Sequence, residues 1–125
     1  MPNLKMPKFK MVALTRAVEG REDEFNDWYQ NYHLPEICAI PGVLGAQRFK
    51  QAIALQGGDD RNYLAIYDIE ADDVASVLGA IGKAGAEGKM TPSDAADRAG
   101  AYTVVFGEHG ERVSHEQALA MMAAR

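Results

Sequence analysis

The chain has 125 residues and a formal net charge of −5, with 47% hydrophobic and 25% charged residues, a composition typical of one globular domain rather than of a disordered chain. The negative charge disfavours nucleic acid as a partner, and the single cysteine, Cys38, excludes an intrachain disulfide. Residues 1–7 lack the apolar run of a signal peptide and no stretch approaches the roughly 20 apolar residues of a membrane span, so we expect a cytoplasmic protein with no membrane partner.

The first predicted elements are a strand and an aromatic helix. Residues 8–15 alternate polar and apolar side chains before becoming apolar, which predicts a strand with one buried face. From Glu22 onward, large side chains recur at the three- and four-residue intervals of a helix: Phe25, Trp28, Tyr29 and Tyr32. The acidic start of this segment suits the positive end of a helix dipole.

Pro35 is expected to end or kink this first helix. Proline lacks the amide hydrogen that continues the helical ladder, and it biases the residue before it away from helical angles. The prediction therefore places His33 at a helix terminus.

Three more strands and three more helices are predicted after this break. The strands cover 43–52, 63–69 and 101–106. The first of these helices follows an aspartate cap at 72 or 73. The second covers 91–99 and begins with the cap signal Thr-Pro-Ser-Asp. The third is a helical tail over about 114–124 that begins with a capping box. This order predicts one α+β domain over 1–125 with its core at about 8–107, a ferredoxin-like split β-α-β (βαββαβ) antiparallel sheet with helices on one face.

Four short stretches of the sequence resemble the EthD-like members of the dimeric α+β barrel superfamily. They are Trp28, His33-Leu34-Pro35, Ile40-Pro41-Gly42 and Gln47-Arg48-Phe49. The resemblance implies a homodimer of two four-stranded sheets, with a pocket between each sheet and its own helices. It also implies enzymes of varied chemistry, among them isomerases, cyclases, dehydratases and cofactor-free monooxygenases.

The histidine and tryptophan of the family motif correspond to His33 and Trp28. The sequence departs from the family pattern in two places. Leu34-Pro35-Glu36 follows the histidine where a small residue and proline are more usual, and 85–100 is extra length before the last strand.

His33, Tyr29 and Arg48 are the candidate catalytic residues. The ordinary pKa of a histidine is about 6.5, so His33 suits a general acid or base, which we favour over a structural histidine at a helix end. Tyr29 lies one helical turn earlier, where it supplies a phenol or simply a wall. Arg48 could clamp an anionic oxygen of a substrate or form a salt bridge with Glu36.

The candidate substrate-binding residues are aromatic: Trp28, Tyr67, Tyr102 and Phe106. Tyr67 and Tyr102 are placed on strands expected to be neighbours at the sheet centre, where their hydroxyls would point into the pocket. Each of the four could instead be ordinary core. His109, His115 and Glu111 fall short of a metal-ligand motif, and no glycine-rich loop follows a strand, so we expect neither a metal nor another cofactor.

Two classes of function remain open at this point. One is a cofactor-independent lyase or isomerase that moves protons on a small aromatic, phenolic metabolite, in a catabolic role. The other is a carrier or accessory protein that uses the same pocket without chemistry. A cofactor-free monooxygenase is a third possibility.

Overall fold

The computed structural model describes residues 6–125; Lys5 and the rest of the amino-terminal stretch 1–5 lie outside the described residues. The elements in chain order are β1 (Lys8–Thr15), α1 (Glu22–Trp28), a π-helical turn (Tyr29–His33), α2 (Leu34–Cys38), β2 (Val43–Lys50), β3 (Tyr63–Glu70), α3 (Val74–Ala86), a 3₁₀ turn (Arg98–Gly100), β4 (Tyr102–Gly107) and α4 (His115–Ala123). In the range 6–125, no helix has the length and apolar character needed to cross a bilayer.

The four strands form one antiparallel sheet in the order β2-β3-β1-β4. The two central strands pair along their full length, from Lys8 opposite Glu70 to Thr15 opposite Tyr63. The α+β, ferredoxin-like architecture predicted from the element order is confirmed. The expected adjacency of the strands that carry Tyr67 and Tyr102 is wrong, because β1 lies between β3 and β4.

One face of the sheet, here called the inner face, forms the core with the helices. Along β3 every second residue is buried, as a strand with one covered face requires. Met11 and Ala13 of β1 continue this buried row, and Phe25 of α1 packs onto it with no exposed surface. The opposite, outer face carries Val12, Leu14, Leu64 and Ile66 in its centre, all only partly buried.

A β-bulge near the start of β2 changes which side chains face the helices. Val43 pairs with Ile69, and Gly45 already pairs with Asp68, so one residue of β2 is left over. Leu44 consequently points outward and is 65% exposed, while Arg48 faces inward. Regular alternation along a strand would place Leu44 and Arg48 on the same side, and the bulge separates them.

The first helix does not end at Pro35, contrary to the expectation that His33 lies at a helix terminus. The chain remains helical to Cys38, and the amide of Ala39 donates to the carbonyl of Pro35 at 3.0 Å. Proline normally clashes with the carbonyl four residues before it. The wider π-helical turn directly before Pro35 accommodates that ring within a continuous helix.

The predicted helix over 91–99 is also absent. Instead, the backbone of Ala96 pairs with that of Ala17 as an isolated bridge, and the amide of Val18 donates to the carbonyl of Ala95 at 2.7 Å. Ala95 is completely buried. Pairing with a distant part of the chain thus overrides the local cap signal, and only the short 3₁₀ turn follows. We call residues 89–101 the strap.

The other two predicted helices are present. Asp73 caps α3, its side chain accepting from the amide of Ala75, and Ser114 and Gln117 form the predicted capping box at the start of α4. Helix α4 has no buried residue, and Leu119 is 58% exposed on it.

Candidate active site

A cleft of about 700 Å³ lies between the inner face of the sheet, the first helix and the strap. Its floor is made by Met11, Ala13 and Thr103 of the two strands β1 and β4. One wall is formed by four aromatic or imidazole rings of the first helix, Phe25, Trp28, Tyr29 and His33. The strap covers the opposite side. The cleft therefore has the size and the largely apolar lining of a small-molecule site.

His33 stands in this wall between two aromatic rings. Its imidazole stacks on the indole of Trp28 with centroids 4.8 Å apart, and it meets the ring of Tyr29 edge-on at 4.9 Å. Burial lowers the pKa of His33 from its ordinary value, and the nearby carboxylate of Glu36 offsets part of that effect. The imidazole is therefore neutral at pH 7, the form that accepts a proton.

The π-helical turn positions His33. The amide of Leu34 donates to the carbonyl of Tyr29, five residues back rather than the usual four. The additional residue in this turn brings His33 closer to the side of the helix that carries Trp28, and their two rings stack. Such turns occur often at functional sites, where they redirect a side chain.

Two phenols meet at the inner end of the cleft. The hydroxyls of Tyr29 and Tyr67 are 3.0 Å apart, and the two side chains are only 3% and 1% exposed. Burial raises the pKa of both phenols, so both keep their protons. One proton is used in the bond between them. The hydrogen bonds among residues 6–125 give the other proton no acceptor.

Arg48 lies behind this pair of phenols rather than in the cleft. Its guanidinium sits 4.6 Å from the ring centroid of Tyr29, and Nη2 donates to the side-chain oxygen of Asn26 at 2.7 Å. Burial lowers the pKa of Arg48, yet a guanidinium remains charged at neutral pH. Its positive charge in turn acts to lower the pKa of Tyr29. Arg48 thus packs against the ring of Tyr29 from behind. The suggested salt bridge between Arg48 and Glu36 is absent.

Glu36 instead holds the strap in place. Its carboxylate accepts from the backbone amide of Thr91 at 2.9 and 3.1 Å and from the hydroxyl of Thr91 at 2.9 Å. The indole nitrogen of Trp28 donates to the carbonyl of Thr91 at 2.8 Å. The strap is therefore tied to the same helix that carries His33.

The structure brings together some of the predicted site residues and separates others. Trp28, Tyr29, His33 and Tyr67 line the cleft, with Arg48 directly behind Tyr29. Tyr102 and Phe106 lie on the outer face, 47% and 57% exposed, because they pair with Leu14 and Lys10 of β1 rather than with its inward residues. Neither of these two residues lines this cleft.

Sequence reasoning missed the residues that the strap contributes. Thr91, Asp97 and Arg98 line the cleft, as does Arg16 just after β1. The one available signal was the extra length at 85–100 before the last strand. No periodic pattern marks these positions, since the strap is held by bonds between residues about 80 positions apart. In residues 6–125, no group of three or more histidine, cysteine or acidic side chains is placed to hold a metal ion.

A search among solved structures finds an ethyl tert-butyl ether d (EthD) family protein from Bacillus halodurans C-125 at a TM-score of 0.54. The match covers 82% of this chain and 99% of that one. The chain has an EthD-like fold. At 19% identity the likeness concerns the EthD-like fold alone, and the resemblance expected from the motif residues is confirmed at that level. No protein-family model and no curated protein sequence matches the chain.

Proposed function

We propose that the cleft binds a small aromatic molecule and that His33 transfers a proton on it, as in a lyase or an isomerase. The observation that carries the proposal is the placement of a neutral imidazole and a spare phenolic proton in one apolar cleft. The EthD-like fold by itself does not distinguish among chemistries. The argument therefore depends on the groups in the cleft.

The proposed reaction begins with proton abstraction. The imidazole of His33 takes a proton from a carbon next to a carbonyl, the electron pair of the broken C–H bond forms a C=C bond, and the C=O electron pair moves onto the carbonyl oxygen as an enolate. The hydroxyl pair of Tyr29 and Tyr67 donates a hydrogen bond to that oxygen as negative charge develops there. Return of the proton from His33 to another atom gives isomerisation, and loss of a leaving group gives elimination. Neither step requires a cofactor.

A carrier function would use only the apolar lining. The wall of Phe25, Trp28 and Tyr29 suits such a role, but a carrier gains nothing from a titratable group beside an unused hydrogen-bond donor. The two polar features in one cleft are the reason to favour catalysis.

The proposal can be tested by deuterium exchange without knowledge of the natural substrate. Aryl ketones that carry a phenol, such as 4-hydroxyphenylacetone, are incubated with the protein in D₂O, and NMR follows exchange of the acidic C–H. We expect exchange above the buffer rate, reduced about 100-fold or more in His33→Gln, in line with the loss of a general base. The exposed His109→Gln is the matched control and should exchange like the wild type.

Undiminished exchange in His33→Gln with intact circular dichroism would remove His33 from the mechanism. Oxygen uptake during turnover would instead favour the monooxygenase chemistry. Quenching of Trp28 fluorescence by the ketone without any exchange would favour a carrier.

We also propose that the chain forms a homodimer through the outer face of the sheet. That face is apolar at its centre, and its margins expose Phe49, Tyr102 and Phe106 to solvent. A second copy would cover this surface. Its apolar residues form one contiguous patch, whereas the apolar residues on an ordinary monomer surface are scattered singly. Sedimentation should report a dimer at micromolar concentration, and Phe106→Lys should produce a monomer. A wild-type monomer at these concentrations would contradict the proposal.

A further inference from the structure

The side chain of Arg98 lies at the mouth of the cleft and forms no ion pair with another residue of the cleft lining. Arg98 is exposed and lines the cleft, and in residues 6–125 it makes no ion pair or side-chain hydrogen bond. The neighbouring Arg16 is in the opposite situation. Its Nε donates to Asp97 at 2.8 Å, and its Nη1 donates to Asp60 at 2.6 Å.

The two guanidinium groups that line the cleft differ in whether a carboxylate pairs with them. Asp97 is a full carboxylate, because the hydrogen bond from Arg16 lowers its pKa, and it neutralises Arg16. His33 is neutral at pH 7. Arg16 is therefore fully matched by Asp97 and Asp60, and Arg98 is the guanidinium of the cleft lining that has no carboxylate partner in residues 6–125. Such a guanidinium is free to pair with an anion in the cleft.

The backbone holds Arg98 at a fixed place. The amide of Asp97 donates to the carbonyl of Arg16 at 3.1 Å, and the amide of Ala101 donates to the carbonyl of Arg98 at 3.2 Å within the 3₁₀ turn. The strap around it is tied down further along by Thr91. The long side chain consequently extends from an anchored position at the entrance rather than from a loose loop.

We infer that the ligand is an aromatic acid whose ring lies in the cleft and whose carboxylate is bound at the mouth by Arg98. The inference rests on the proposed function, since it names the substrate class for the same cleft. A guanidinium presents parallel N–H groups that match the two oxygens of a carboxylate. The apolar wall takes the ring, and the phenol pair is left for an oxygen at the far end of the molecule.

The test compares two ligands of nearly the same shape, 4-hydroxyphenylacetate and 4-hydroxyphenylacetamide. Trp28 is the only tryptophan of the chain and lines the cleft, so its fluorescence reports binding directly. We expect the acid to bind about fivefold or more tightly than the amide, as an ionic hydrogen bond at a partly exposed site allows. High salt should weaken binding of the acid only.

The variant Arg98→Gln should lose the preference for the acid while keeping the affinity for the amide. The control Arg112→Gln changes an exposed arginine of the carboxy-terminal region that does not line the cleft, and it should keep the preference. Equal affinity of the two ligands for the wild type, or an unchanged preference in Arg98→Gln, would overturn the role of Arg98 and leave the proposed function in place. Failure of both ligands to bind would overturn the two proposals together.

Discussion

Trp28 and His33 stack on one another with their ring planes 23° from parallel, although five residues separate them on one continuous helix. In an α-helix, five residues at about 100° each would place the two side chains roughly 140° apart around the axis. The wider π-helical turn between them has a smaller rotation per residue and reduces this difference. A local irregularity of the helix, more than its amphipathic pattern, therefore builds the wall of the cleft.

The stability of the protein should depend on pH through His33. Burial lowers the pKa of His33 in the folded chain, while in the unfolded chain the pKa is about 6.5. Below that pH the unfolded state binds more protons than the folded state, so the free energy of unfolding falls as the pH falls from about 6.5 to the lower folded value. Urea denaturation between about pH 7.5 and 5 should show this slope, a window above the ordinary carboxylate range.

The same experiment on His33→Gln should give a flatter profile in that window. His109→Gln, a change at an exposed position, should keep the wild-type slope. Identical slopes in His33→Gln and the wild type would mean that His33 is not the group responsible.

Removing the charge of Glu36 should lower the pKa of His33 further. The negative carboxylate of Glu36 acts to raise that pKa, against the larger effect of burial. The variant Glu36→Gln keeps an oxygen for the bonds with Thr91 and loses the charge. An NMR titration of the imidazole C–H protons measures the shift, with the exposed Glu116→Gln as control. A higher pKa for His33 in Glu36→Gln would contradict this electrostatic account.

The hydroxyls of Tyr29 and Tyr67 should contribute to stability as a pair. Tyr67→Phe leaves a buried hydroxyl on Tyr29 without its partner, at a cost of about 1–2 kcal/mol. Tyr29→Phe should cost a similar amount for the same reason. The double variant should cost less than the two single costs together, because it leaves no orphaned hydroxyl. Urea denaturation of the four proteins measures this coupling, and strictly additive costs would show that the bond is not formed.

Gly42 should be intolerant of substitution. It has a positive φ of 96°, and a Cβ at this position would lie 2.8 Å from Cγ2 of Val77 on α3. We expect Gly42→Ala to lower the free energy of unfolding by about 2 kcal/mol, from backbone strain and displacement of the helix.

Gly79 provides the matched control. It lies exposed in the interior of α3, and an added Cβ would meet no described atom within 4 Å. Gly79→Ala should stabilise the protein by about 0.5–1 kcal/mol through helix propensity. Thermal unfolding that ranks Gly42→Ala at or above the wild type would show that the turn before β2 is not constrained as described.

The sequence predicted the elements whose side chains follow a regular period. The alternating burial in 63–70 and the aromatic spacing from Phe25 to Tyr29 result from burial on one face, so strand and helix could be recognised. The periodicity places Tyr29 and Tyr67 as candidate site residues, whereas Trp28 and His33 follow from the family motif as well as from the aromatic context. The π-helical turn could not be predicted, because a proline at position 35 indicates that the helix ends before it.

Contacts between distant parts of the chain account for the remaining differences. The strap takes its shape from Ala17, Val18 and Arg16, which have no sequence pattern in common with it. The prediction that Tyr102 points into the pocket depends on β4 lying beside β3, and the prediction for Phe106 depends only on the apolar surface of its ring. The true order puts β1 between β3 and β4 and fixes a register that turns both rings outward.

The pH dependence of deuterium exchange on a phenolic ketone tests the role of His33 as a general base most directly. The rate should rise with pH and level off, with a midpoint below 6.5 that reflects the lowered pKa of His33. In His33→Gln this sigmoid should vanish and leave only the slow background rate. A wild-type midpoint clearly above 6.5, or a sigmoid that persists in His33→Gln, would contradict the assignment of proton transfer to His33.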